Sequence, residues 1–99
     1  MVSEALLQKY LVQQAKSQNV YAVKLVSQSR RGFPDVMLAY KGRVLFVEVK
    51  SPTGLGKLSA LQALEITRLE AAGLTVRVIA SREEADGAIR ELTHSKKEK

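Results

Sequence analysis

The chain has 99 residues, with 16 Lys and Arg against 10 Asp and Glu for a formal charge of +6, and it has no cysteine. This is room for one domain with one core, in which dimerisation would add useful burial. It excludes disulfides, thiolate metal sites and thiol nucleophiles, while the positive balance favours a polyanionic partner.

MVSEALLQKY lacks the basic-then-apolar layout of a signal peptide, and no apolar run approaches the roughly 20 residues of a membrane span, so the expectation is a soluble cytoplasmic protein. Ser3 is placed to cap a helix from about Glu4 to Ser17, with Leu7, Leu11 and Ala15 on one stripe and Leu6 and Tyr10 beside it. Tyr21 to Ser27 is rich in β-formers, and QSRRGF after it reads as a loop. Asp35–Tyr40 and Arg43–Lys50 flank Lys41-Gly42 as two strands of a hairpin. SPTGLGK breaks regular structure. Ser59 then caps a second helix to about Ala72, with Leu61, Leu64, Leu69 and Ala72 near helical spacing and Gly73 as its stop. Leu74–Ala80 is a fourth strand, and Ser81-Arg82-Glu83-Glu84 opens a last helix to about Leu92.

The order α-β-β-β-α-β-α implies an α/β fold: a mixed central sheet flanked by helices on both faces. Its third strand, second helix and fourth strand form a right-handed βαβ unit. One domain over residues 1–94 is expected, with 95–99 as a basic solvated tail. No repeat or low-complexity segment interrupts it.

Charge placement is more telling than the total. Between Ala5 and Leu64 only Asp35 and Glu48 are acidic, against nine Lys or Arg. Glu48 and Lys50 alternate onto one face of a strand that is apolar on both sides, although burying a charge costs several kcal/mol without a partner or a metal. Hairpin pairing across Lys41-Gly42 brings Asp35 close to Glu48. Two adjacent carboxylates repel unless a divalent cation lies between them, and oxygen ligands of this kind suit Mg²⁺ or Mn²⁺. Lys50, one pleat on, is placed to orient or deprotonate a water and to offset charge on a phosphate. The alternative is an ordinary Glu48–Lys50 ion pair with Asp35 as a turn residue.

Gly32-Phe33-Pro34-Asp35, then twelve residues, then Glu48-Val49-Lys50, followed by Ser59 and Gln62 on the next helix, resembles the virus-type replication-repair nuclease (VRR-NUC) domain of the PD-(D/E)XK nuclease superfamily. The resemblance implies a restriction-endonuclease-like αβββαβ core. It also implies Asp35, Glu48 and the main-chain carbonyl of Val49 as metal ligands, Lys50 as the catalytic lysine, and Glu4 and Gln62 as further site residues. Glu4 is equally a good first-turn residue for a helix dipole. Isolated viral and bacterial members are similar to Holliday junction resolvases and act as homodimers, which implies a phage or bacterial source and a role in DNA repair.

Cutting both strands of a four-way junction symmetrically requires two sites about a two-fold axis. Lys24, Arg30, Arg31 and Lys57 flank the expected site and are candidate phosphate contacts, with shape rather than sequence recognised. Three Tyr and two Phe without a stacking pattern argue against a single-strand or RNA-binding sheet. His94 stands alone, and no Walker-type loop is present. Two other readings remain: a non-catalytic DNA-binding or architectural dimer with a nuclease fold, and a flap or nicking endonuclease.

Overall fold

The structure, a computed structural model, describes residues 3–26, 31–51 and 57–94. The elements are α1 (Glu4–Ser17), β1 (Tyr21–Lys24), β2 (Val36–Tyr40), β3 (Arg43–Val49), α2 (Ala60–Ala71), β4 (Thr75–Ile79) and α3 (Arg82–His94). The strands form one mixed sheet in the order β1-β2-β3-β4. β1, β2 and β3 pair antiparallel, and β3 and β4 pair parallel across the α2 crossover.

Local chemistry fixes the ends of these elements. Ser3 accepts the Leu6 N–H and starts α1. Lys41 and Gly42, with φ of 48° and 85°, form a two-residue turn of the type whose twist matches a hairpin, and Tyr40 therefore pairs with Arg43. Gly73, at φ 91°, ends α2: its N–H donates to the Glu70 carbonyl and that of Leu74 to the Leu69 carbonyl, the paired closing bonds of a Schellman motif. At α3, Ser81 accepts the Glu84 N–H while the Glu84 carboxylate reaches back to the Ala80 N–H rather than to that of Ser81.

One face of the sheet holds the core. Leu7, Leu11 and Ala15 of α1 and Ala85, Ala88, Ile89 and Leu92 of α3 pack on Val36, Leu38, Leu45, Val47, Val49 and Ile79. A Tyr10 hydroxyl bond to Asp86 and an Arg43 bond to the Leu92 carbonyl tie the helices to each other and to β3.

The opposite face is different and departs from expectation. The spacing of Leu61 and Leu64 suggests that they seat α2, yet they are 47% and 44% exposed, and Glu65 is buried. Gln62, Glu65, Ile66 and Leu69 lie on the covered side instead. Beneath α2 the sheet presents Glu48, a carboxylate that takes the Gln62 donor, so the inward stripe mixes polar and apolar residues. Leu6, expected beside the α1 stripe, is also exposed.

Candidate active site

The register of the first hairpin delivers Asp35. Val36 pairs with Val47, and one step further the Asp35 N–H donates to the Val47 carbonyl at 3.0 Å while its own carbonyl accepts from Leu25 at 2.8 Å. Asp35 thus sits where β2 begins, beside the end of β3. Its Oδ2 accepts the Val49 N–H at 2.9 Å. Pro34 is buried before it, and Phe33 packs edge-on against Phe46 at 5.7 Å.

Glu48 is 2% exposed. Its Oε2 accepts from Gln62 Nε2 at 2.6 Å and lies 3.3 Å from Lys50 Nζ, whose side chain is also largely covered. Glu4, at the start of α1, accepts the Ser51 N–H on its Oε2 at 3.1 Å, which ties the first helix to the residue just past the site strand. The N–H of Lys50 donates to the Ile79 carbonyl and keeps the end of β3 in the sheet.

These positions leave two carboxyl groups in electrostatic difficulty. Burial pushes Glu48 up to about 7, the nearby Asp35 charge adds to the rise, and Lys50 opposes it. Asp35 is also raised, by burial first; the Val49 N–H and the charges of Lys50 and Lys24 hold it down, while Glu4 pushes it up. A cation between the two carboxylates would reverse both effects. The donors are all oxygen, which fits a hard ion such as Mg²⁺ or Mn²⁺. Among the described residues no group of three or more His, Cys, Asp or Glu is gathered for a metal. The side chains that could hold such an ion are Asp35 and Glu48.

The structure brings together Glu4, Asp35, Glu48, Val49, Lys50 and Gln62. Lys24, Arg31 and Lys57 are exposed, and Arg30 lies outside the described residues, as do Pro52–Gly56 of the expected loop. A cavity of about 380 Å³ among Gly42, Arg43, Gly73 and Leu92 lies at the other end of the sheet and carries none of this chemistry.

Two features of the site have weak sequence signals. The Ser51 N–H is main chain and leaves no trace in the sequence. Gly32 is needed for two reasons: its φ is +83°, and a Cβ there would lie 2.6 Å from the Leu61 carbonyl oxygen and 2.9 Å from the Gln62 nitrogen. The loop carrying Asp35 and the first turn of α2 therefore touch backbone to backbone.

The VRR-NUC domain family model matches residues 2–83, a span that contains every residue just gathered. The chain belongs to the VRR-NUC family. It is 36% identical over 84 residues to "Putative nuclease p44" of Acyrthosiphon pisum secondary endosymbiont phage 1, a match covering 84% of this chain and 88% of that protein. A solved structure described as a VRR_NUC domain superposes with a TM-score of 0.78 at 28% identity, covering 91% of this chain and 97% of that one. The mixed sheet and its flanking helices are thus the VRR-NUC fold, and the family is one of nuclease domains. Among the described residues no helix is long and apolar enough to cross a membrane.

Proposed function

We propose that this VRR-NUC chain is a Mg²⁺- or Mn²⁺-dependent DNA endonuclease that hydrolyses phosphodiester bonds at Asp35, Glu48 and Lys50. The observation that carries the reading is the buried Glu48 carboxylate set beside Asp35 by the hairpin register, both raised, with Lys50 at 3.3 Å from Glu48. A structural reading accounts for the Glu48–Lys50 ion pair and for the Asp35 bond to the Val49 N–H; it does not account for two raised carboxyl groups set side by side, which a cation would relieve.

Bound at this site, the ion supplies Lewis acidity to the phosphate and lowers the pKa of a water. Asp35 and Glu48 would hold it through carboxylate oxygens. The Val49 carbonyl belongs to the same set, since N–H and C=O of one strand residue point to the same edge and the Val49 N–H already meets Asp35. Lys50 orients the attacking water and stabilises the negative charge that grows on the phosphate oxygens. The water loses a proton as its oxygen bonds to phosphorus, the P–O bond to the departing strand end breaks, and that oxygen takes up a proton, so the protons balance. Glu4 steadies the strand end through Ser51.

The substrate reading is branched DNA, with a four-way junction cut by a homodimer in a DNA-repair setting. The +6 charge and the exposed Lys24, Arg31 and Lys57 support phosphate contact, and Arg30 is placed with them by sequence. Exposed Leu61, Leu64 and Val78 on the α2 side of the sheet supply apolar surface of the sort a two-fold contact uses. The test is a panel of synthetic four-way junction, flap, linear duplex and single strand, with light scattering of the protein alone and junction-bound. Paired cuts on the junction by a dimer support the reading. Cuts on flaps or linear duplex alone discard the resolvase and keep the nuclease; tight junction binding with no cut under any metal discards the enzyme.

A further inference from the structure

Ser59 does more than start a helix. As the N-cap of α2 it accepts the Gln62 N–H on Oγ at 3.1 Å, and its own N–H donates to Gln62 Oε1 at 2.9 Å, a complete capping box. A main-chain N–H can only donate, so it takes the amide oxygen of Gln62 and turns the amide nitrogen the other way. That nitrogen donates to Glu48 Oε2 at 2.6 Å. The cap thus decides which end of the Gln62 amide meets the carboxylate. With the amide reversed, an oxygen would face Glu48 and the contact would be repulsive.

The same turn is held from a second side. Gly32 approaches the Leu61 carbonyl and the Gln62 nitrogen so closely that no side chain fits between them, and Gly32 belongs to the loop that ends at Asp35. The first turn of α2 is therefore fixed against the segment carrying one site carboxylate while its Gln62 side chain grips the other. Both contacts to Glu48, from Gln62 and from Lys50, fall on Oε2, so the rotation of the carboxylate is set while Oε1 carries neither.

We infer that Ser59 is a positioning residue for the nuclease reaction: through the capping box it orients the Gln62 amide, and through that amide it sets the Glu48 carboxylate for its cation. The inference rests on the metal-dependent reading above. It makes the helix cap and the metal site one hydrogen-bonded unit, Ser59–Gln62–Glu48. A cap that serves only the helix would affect stability and nothing else.

Three variants separate these roles. Ser59→Ala keeps the main-chain donor to Gln62 Oε1 but removes the Oγ acceptor that anchors the Gln62 N–H beside it, so the amide is held from one side only; Ser59→Thr keeps both, and Gln62→Glu replaces the donor toward Glu48. Each is measured for Mn²⁺ affinity by calorimetry without DNA, for kcat and KM on a cleavable DNA, and for urea midpoint in chelator. For Ser59→Ala the expectation is Mn²⁺ binding weaker by about fivefold and kcat lower by about fivefold, the effect of one lost cap, with KM unchanged. Ser59→Thr restores both. Gln62→Glu, which puts an oxygen where the donor toward Glu48 was, loses about tenfold in kcat, the size of one hydrogen bond to a charged group. A Ser59→Ala variant with a lowered urea midpoint but wild-type Mn²⁺ affinity and kcat overturns the inference and leaves the nuclease standing. A wild type that binds Mn²⁺ but cuts nothing defeats the nuclease reading, and the Mn²⁺ comparison then still decides for or against Ser59. A wild type that binds no Mn²⁺ overturns both.

Discussion

Replacing Glu48 by Gln should stabilise the metal-free protein at neutral and alkaline pH, although it removes a proposed ligand. The native carboxyl stands at about 7 against an ordinary 4.5 because it is buried beside Asp35. Below about pH 4.5 the group is protonated in folded and unfolded chains alike and exerts no penalty. Between there and about 7 the folded chain keeps its proton while the unfolded chain releases it, so stability falls as pH rises through this window and levels off above it. At about 1.4 kcal/mol per pH unit, the displacement amounts to about 3 kcal/mol, and the 2% exposure of Glu48 makes solvent screening of this cost small. The substituted amide would keep an acceptor for Gln62 and Lys50 but cannot ionise. Urea unfolding in chelator at about pH 4.5 and about pH 8, on wild type and Glu48→Gln, measures the difference. The variant should gain about 3 kcal/mol on wild type between the two conditions, with the residual slope from Asp35 common to both. A wild-type-to-variant difference that is the same at both pH values would refute the reasoning, because Glu48 would then ionise as freely in the fold as in the unfolded chain. Saturating Mn²⁺ should remove the penalty in wild type and leave the variant unchanged.

Asp35→Asn is expected to abolish the calorimetric Mn²⁺ signal together with cleavage; retained cleavage would remove Asp35 from the ligand set. Lys50→Ala should keep Mn²⁺ binding while kcat drops by about a hundredfold or more, as for loss of a group acting on the transition state; lost metal affinity with normal turnover would contradict that role. Gly32→Ala, which forces a Cβ to 2.6 Å from the Leu61 carbonyl at a φ of +83°, should cost about 1–3 kcal/mol in urea unfolding. Leu61→Asp should leave monomer stability within about 0.5 kcal/mol, since Leu61 is half exposed, but halve the mass seen by light scattering if the α2 face joins two copies; an unchanged dimer would move the contact elsewhere.

Much of this fold is legible in the sequence because its signals are local. Ser3, Lys41-Gly42, Gly73 and the α1 stripe each carry a cap, turn or period whose physics acts within a few residues, and the structure uses all four. The meeting of Asp35 and Glu48 is legible because a two-residue turn sets the hairpin register, which leaves one pairing. The orientation of α2 is not. Its leucines have a helical period, but the face that turns inward depends on what the sheet offers: β3 offers Glu48, which takes the Gln62 donor, and the covered stripe carries Ile66 and Leu69 beside Gln62 and Glu65. The Gly32 contact is equally hidden, since a close approach between backbones far apart in the chain leaves no pattern beyond the glycine itself.

The central claim, that Asp35 and Glu48 hold a divalent cation for phosphodiester hydrolysis, is met most directly by one cleavage measurement. Wild type and Asp35→Asn are given a synthetic four-way junction with Mg²⁺, with Mn²⁺ and with excess chelator. Cuts by wild type with either metal are expected, with none in chelator and none by the variant. Cleavage undiminished by chelator, or by Asp35→Asn with metal present, would contradict the claim.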